Sequence, residues 1–177
     1  MNIETIHSSK VSDVDLKRFY AIMHHAYAVT EVRIWGKNYQ RMSFEDFISV
    51  IQKSEMIGAW MDDEPVGSIH TYRISVNTFA FGLFSVDFAF NGQGIGRKLI
   101  EAAERKARSE GAQFMELEIL KPENENLEVK EVLRDWYQRL GYHLTETMSF
   151  VKRKPTKKAH AKLFIQPCVF DCYRKKL

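Results

Sequence analysis

The chain of 177 residues, 45% apolar and 28% charged, is long enough to bury one substantial core, and its composition excludes a disordered or collagen-like polypeptide. Its formal net charge of +3 conceals an asymmetry: residues 1–150 carry 17 Lys or Arg against 22 Asp or Glu, whereas residues 151–177 carry nine against the single Asp171. The opening residues 1–6 have neither a basic start nor a continuous apolar stretch, so no secretory signal and no membrane span are expected, and a cytoplasmic location is.

In chain order, Ser12 with Asp15 three residues on is a helix-start pattern, and Leu16, Phe19, Met23 and Tyr27 then share one stripe, predicting a helix over 13–28. Ser43 and Asp46 repeat the signal ahead of Phe44, Phe47, Ile48 and Ile51, a second and shorter helix; an aromatic-rich loop joins the two. Residues 56–61 and 66–73 flank a polar turn at 62–65 and predict an antiparallel hairpin. Residues 79–90 form a long aromatic and β-branched run. At Gly92 the pattern becomes helical, with Ile95, Leu99, Ala102, Ala103 and Ala107 inward, Glu101–Arg105 and Glu104–Arg108 pairs on the outer side, and Gly111 as the stop.

A strand is expected over 114–120 and then a helix marked by Val129, Leu133, Trp136 and Leu140 and stopped by Gly141. The βαβ alternation makes the flanking strands parallel neighbours. Residues 143–152 and 162–166 read as two closing strands joined by a Lys-rich turn around Pro155. One domain spans 1–177, without internal repeat.

Cys168 and Cys172 fit neither a zinc knuckle nor a redox CxxC pair and read as ordinary thiols. His24 and His25 lack a third ligand at a recognisable spacing, so no metal is expected. The basic tail suits nucleic acid, an acidic partner or phosphates, or is simply solvated. No base-stacking aromatic set accompanies Lys152–Lys158 or Arg174–Lys176, which ranks nucleic acid last among the partners.

The segment Asn91-Gly92-Gln93-Gly94-Ile95-Gly96-Arg97 places three glycines in five positions between a strand and a helix, where exposed backbone N–H groups suit a phosphate or pyrophosphate. It lacks the Lys-Ser/Thr ending of a Walker loop, and the third glycine and first-strand position of a dinucleotide fingerprint. Residues 83–99 as a whole resemble the acetyl-CoA-binding motif of the GNAT superfamily of N-acetyltransferases. Trp136-Tyr137-Gln138-Arg139-Leu140-Gly141-Tyr142 resembles that family's aromatic-Tyr signature on the following helix. The likeness covers residues 56–150 well. Asn91 stands where the family usually has Arg or Gln, Phe88 where Pro is common, and Lys130 where an Asn is often found before the tyrosine.

The resemblance implies an α/β fold, a single GNAT-like domain with a mixed, mostly antiparallel central sheet flanked by helices. It implies acetyl-CoA as co-substrate and transfer of its acetyl group to a primary amine of a small molecule or peptide by direct attack on the thioester. Gly92, Gln93, Gly94, Ile95, Gly96 and Arg97 would hold the pyrophosphate, and main-chain groups of Phe84, Ser85 and Val86 the pantetheine arm, with the Val86 N–H as oxyanion donor. Tyr137 is the expected general acid and Glu118 the expected base, although Glu118 and Glu116, which share a strand face, serve equally well as structural carboxylates. Tyr27, Trp35 and Tyr39 line the acceptor pocket in this reading, or are ordinary packing.

A cationic amine such as a polyamine, an aminoglycoside or a protein N-terminus suits the negative body of the chain. A non-catalytic CoA-binding sensor is the alternative function. The oligomeric state is left open, a homodimer included.

Overall fold

The apolar periodicities resolve into seven strands and seven helices, described over residues 1–177 in a computed structural model. They run β1 (Asn2–Thr5), α1 (Asp13–Thr30), α2 (Val32–Trp35), α3 (Phe44–Gln52), β2 (Met56–Met61), β3 (Glu64–Ser75), β4 (Thr78–Val86), α4 (Ile95–Ser109), β5 (Phe114–Pro122), α5 (Glu128–Arg139), β6 (His143–Ser149), α6 (Phe150–Arg153), α7 (Lys158–Ala161) and β7 (Cys168–Lys176). Local chemistry sets the boundaries. The Ser12 and Ser43 hydroxyls accept the N–H groups of Asp15 and Asp46, capping α1 and α3. Gly111 and Gly141, with φ of 83° and 90°, end α4 and α5.

All strands lie in one sheet of order β1-β2-β3-β4-β5-β7-β6. Every pairing is antiparallel except β4 with β5, which is parallel. That exception is short: only Thr78, Phe79 and Ala80 pair, with Phe114, Met115 and Glu116. Beyond them β4 turns away because it carries a bulge. Ser68 pairs with Ser85 and His70 with Gly82, which leaves Ile69 opposite both Leu83 and Phe84, and Leu83 takes a left-handed φ of 42°. The sheet therefore splays open in its middle.

Each face of the sheet has its own core. On one, Ile69, Phe79, Met115 and Leu117 meet Ile95, Leu99 and Ala103 of α4 and Tyr137 of α5. On the other, Phe19, Met23, Phe47, Ile51 and Met56 pack under α1 and α3. Ile34, Trp35, Leu120, Phe150 and Phe170 form a third cluster on α2, α6 and the ends of β5 and β7. No helix is long and apolar enough to cross a membrane.

Several sequence expectations need correction. The strand run from residue 79 stops at Val86, because the Asp87 carboxylate accepts the Ala89 N–H and starts a 3-10 turn at Phe88–Phe90. Part of the predicted interhelical loop is α2, and β1 had no sequence signal. The last strand is Cys168–Lys176, not 162–166, and β6 ends at Ser149, whose hydroxyl caps α6. Three of the four charges that disguised β7 are paired: Asp171 with Lys121 at 2.7 Å, Arg174 with Glu116, and Lys175 with Glu104 at 2.8 Å. Glu104 pairs with Arg108 at 3.3 Å as expected but is not on the outer side of α4; it is buried, accepting also from the Tyr142 hydroxyl at 2.8 Å and from Lys175. Glu101 bonds Arg97 rather than Arg105.

Candidate active site

The splay between β4 and β5 opens a cavity of about 1300 Å³ that runs from the glycine loop to the α6–α7 segment. At its α4 end, Gly92 and Gly94 adopt φ of 79° and 76°, and Gly94 caps a helix whose first-turn N–H groups have no intrahelical acceptor. Gly96 has a different reason. A Cβ there would lie 3.0 Å from Phe84 and 3.4 Å from Trp136, two rings stacked at 5.8 Å that wall the cleft. Along β4, Ser85 and Val86 pair with β3 on one side, while β5 has departed on the other, leaving a strand edge for an extended ligand. The Ser85 hydroxyl, buried in the cleft wall, has no protein partner.

These features fit a CoA thioester: N–H donors and a helix N-terminus for pyrophosphate, an open strand edge for the amide-bearing arm, and a cleft of suitable volume.

Tyr137 projects from α5 into this cleft, buried against Phe81 and Tyr142. Burial, with a smaller contribution from Tyr27, pushes its phenol well above its ordinary value, and no hydrogen bond to the protein occupies the hydroxyl. Tyr27 is raised in the same way, with the Arg41 guanidinium 4.1 Å over its ring.

Below them lies a buried ion cluster that the sequence did not disclose. Glu31 accepts from Lys130 at 3.0 Å, Arg41 at 2.7 Å and the Trp35 indole at 2.8 Å. Burial alone would raise its carboxyl; Arg41 and then Lys130 outweigh that and hold it below the usual carboxylate range. The partners are 10 and 99 residues away, beyond any local pattern. Lys130 is legible only as a departure from the family's asparagine.

Across the cleft, Glu118 is paired with Arg153 and, at 2.7 Å, with Lys154; Glu116 is paired with Arg174 and lies 3.7 Å from Arg153. Both glutamates thus have cationic partners from the α6 segment or β7. His70, on β3, stacks on Tyr72 and meets Glu55 at 3.0 Å; burial lowers its pKa despite that carboxylate, so the ring is neutral near pH 7. Tyr27 and Tyr39 line the cavity, whereas Trp35 lies behind them, stacked on Tyr39 at 4.1 Å. His24 and His25 pack against Tyr20 and Phe88, outside the cleft. Burial pushes both Cys168 and Cys172 up to about 11, as befits unreactive thiols.

The geometry is that of an acyl-CoA-dependent acyltransferase. Residues 19–142 match the family model described as the acetyltransferase (GNAT) family, and the chain belongs to that family. It is an acetyl-CoA-dependent N-acetyltransferase. A search of the curated proteins finds no match.

Among solved structures, it is similar to an aminoglycoside 6'-N-acetyltransferase complexed with coenzyme A, with TM-score 0.73 and 16% identity over 99% of this chain and 97% of that one. It is similar also to a ribosomal-protein-alanine N-acetyltransferase from Brucella melitensis, with TM-score 0.68 and 15% identity over 100% of both chains. A third is N-acetylglutamate synthase from Neisseria gonorrhoeae, complexed with coenzyme A and N-acetyl-glutamate, with TM-score 0.68 and 16% identity over 99% of this chain and 35% of that one. At these identities the likeness is one of fold.

Proposed function

We propose that this cleft transfers acetyl from acetyl-CoA to a primary amine by direct attack, in the cytoplasm, with Tyr137 as general acid. The observation that carries the reading is the conjunction, in one cavity, of the α4 cradle, the unpaired β4 edge and the unengaged Tyr137 hydroxyl. Gly92 to Arg97 hold pyrophosphate through backbone N–H groups, and Phe84, Ser85 and Val86 receive the pantetheine arm as an added strand. Solved structures of similar fold contain coenzyme A, which supports it as the ligand.

When bound, acetyl-CoA supplies a thioester whose C–S bond breaks as the acceptor nitrogen forms the amide. One proton leaves the amine and one reaches the sulfur. The Val86 N–H is the oxyanion donor. Tyr137 delivers the proton to sulfur: its phenol stays protonated in the dry cleft, and the same desolvation raises the proton affinity of a thiolate there. Glu118 receives the amine's proton in this reading, directly or through a water. Arg153 and Lys154 already engage its carboxylate, so one of them turns aside as the proton arrives.

Thiol release with a panel of amines tests the reading. Tyr137→Phe should lower kcat by about 100-fold or more while leaving acetyl-CoA binding intact; a variant as fast as the parent removes Tyr137 from the chemistry. Glu118→Gln should cost at least about tenfold and alter the acidic limb of the pH–rate profile. An unchanged profile with a raised acceptor KM reassigns Glu118 to holding its two cations. A CoA-sensing module without turnover is recognised by coenzyme binding with no thiol release from any amine.

A further inference from the structure

The three carboxylates that line the cavity, Glu31, Glu116 and Glu118, each lie against two cations. None is left to receive a cationic substituent of an acceptor. On the β5–β7–β6 half, Arg153 and Lys154, which line the cavity, and Arg174, which lies outside it, serve Glu116 and Glu118, and Lys157, also in the lining, forms no ion pair. Three lining cations there face two lining carboxylates. Deeper in, Arg41 and Lys130 share Glu31 alone. The cleft is thus positively charged, although residues 1–150 taken together are negative.

This surplus is separate from the phosphate cradle. Helix α4, which carries the cradle, packs on β1 to β4, whereas α6 packs on β6 and β7, beyond β5. Glu116 and Glu118 alternate with Met115 and Leu117, which join the α4 side of the core, so the glutamates and their cations occupy the opposite face of β5. A pyrophosphate seated on the N-terminus of α4 therefore leaves Lys157 without a counter-charge, next to the Lys154 that Glu118 already engages.

Resting on the acetyl-transfer reading of the same cleft, we propose that the acceptor is an amine that also carries an anionic group, a carboxylate or a phosphate, held by Lys157 and Lys154 while the amine faces the splay. Such an anion supplies the charge that Lys157 lacks. A polycationic acceptor meets like charge and finds every cavity carboxylate taken, a mismatch that disfavours it. Charge within the cavity, not the net charge of the body, selects the substrate class.

The test uses matched amines: an amino acid and its amide, and glucosamine 6-phosphate and glucosamine, with spermidine and kanamycin as polycations. Thiol release gives kcat/KM, and calorimetry on the CoA-loaded protein gives Kd without turnover. The anionic member of at least one pair should be preferred about tenfold or more in both, and the pair that responds identifies carboxylate or phosphate. The amide's amine is the less basic of its pair, so a preference for the acid does not come from the supply of neutral amine.

Lys154→Gln/Lys157→Gln should shrink that preference at least about fivefold and keep the thermal shift given by acetyl-CoA. Equal or reversed preference in both readouts, or the best turnover with a polycation, overturns the proposal. Anionic preference in calorimetry with no thiol release from any amine keeps the proposal and sinks the transfer reading instead.

Discussion

Burial and charge act together most strongly in the cleft on two residues. Tyr137 is kept protonated by burial, so kcat/KM should climb with pH as the acceptor ammonium loses its proton and show no falling limb below about pH 10. A pH–rate series to pH 10 measures this, and a descending limb near 8 would contradict the assignment. Glu31 is the other. Glu31→Gln removes the one negative charge between the buried Lys130 and the half-buried Arg41, which should cost about 3 kcal/mol and lower Tm by roughly 10 °C. Its folded pKa is depressed, so the stability it contributes is present above about pH 4.5 and is lost as pH falls further. The variant should therefore lose stability less steeply than the parent in acid melts. The place of Tyr137 in the cleft was legible because its signature is local, seven residues ending in Tyr142. Glu31 was not, because its partners converge from α5 and the loop after α2.

At the scale of elements, the glycine loop was readable since its demands are backbone demands. Gly94→Ala meets open space but a φ of +76°, so the strain is conformational: about 1–2 kcal/mol of apo stability, with weakened acetyl-CoA binding by calorimetry. An unchanged Kd would mean that the loop does not hold the coenzyme. The bulge at Leu83 and Phe84 left no such trace, because its φ of +42° falls on a leucine in a run that otherwise reads as continuous strand. Residues 150–161 misled for the opposite reason. The Lys-rich stretch around Pro155 imitates a turn between strands, whereas Ser149 caps one helical turn and Pro155 opens another. The true last strand was hidden by its charges, most of which pair only after the sheet has assembled.

For the molecule as a whole, one bulge and one short parallel pairing convert a continuous sheet into two halves with a cleft between them. The β1–β4 half carries α4 and the glycine loop; the β5–β7–β6 half carries the cations proposed to face the acceptor. Fold class and coenzyme were legible because they depend on motif order, which sequence preserves. The charge of the acceptor side was not, since it depends on which side chains line one cavity.

The central claim, that this cleft is built for coenzyme A, is tested most directly by thermal melts with acetyl-CoA, CoA, ATP and NAD in parallel. A ligand at about 100 times its Kd contributes about 2.7 kcal/mol, so Tm should rise by roughly 5–10 °C with the two CoA compounds and not with NAD. No shift with either CoA compound, or an equal shift with NAD, would contradict the account.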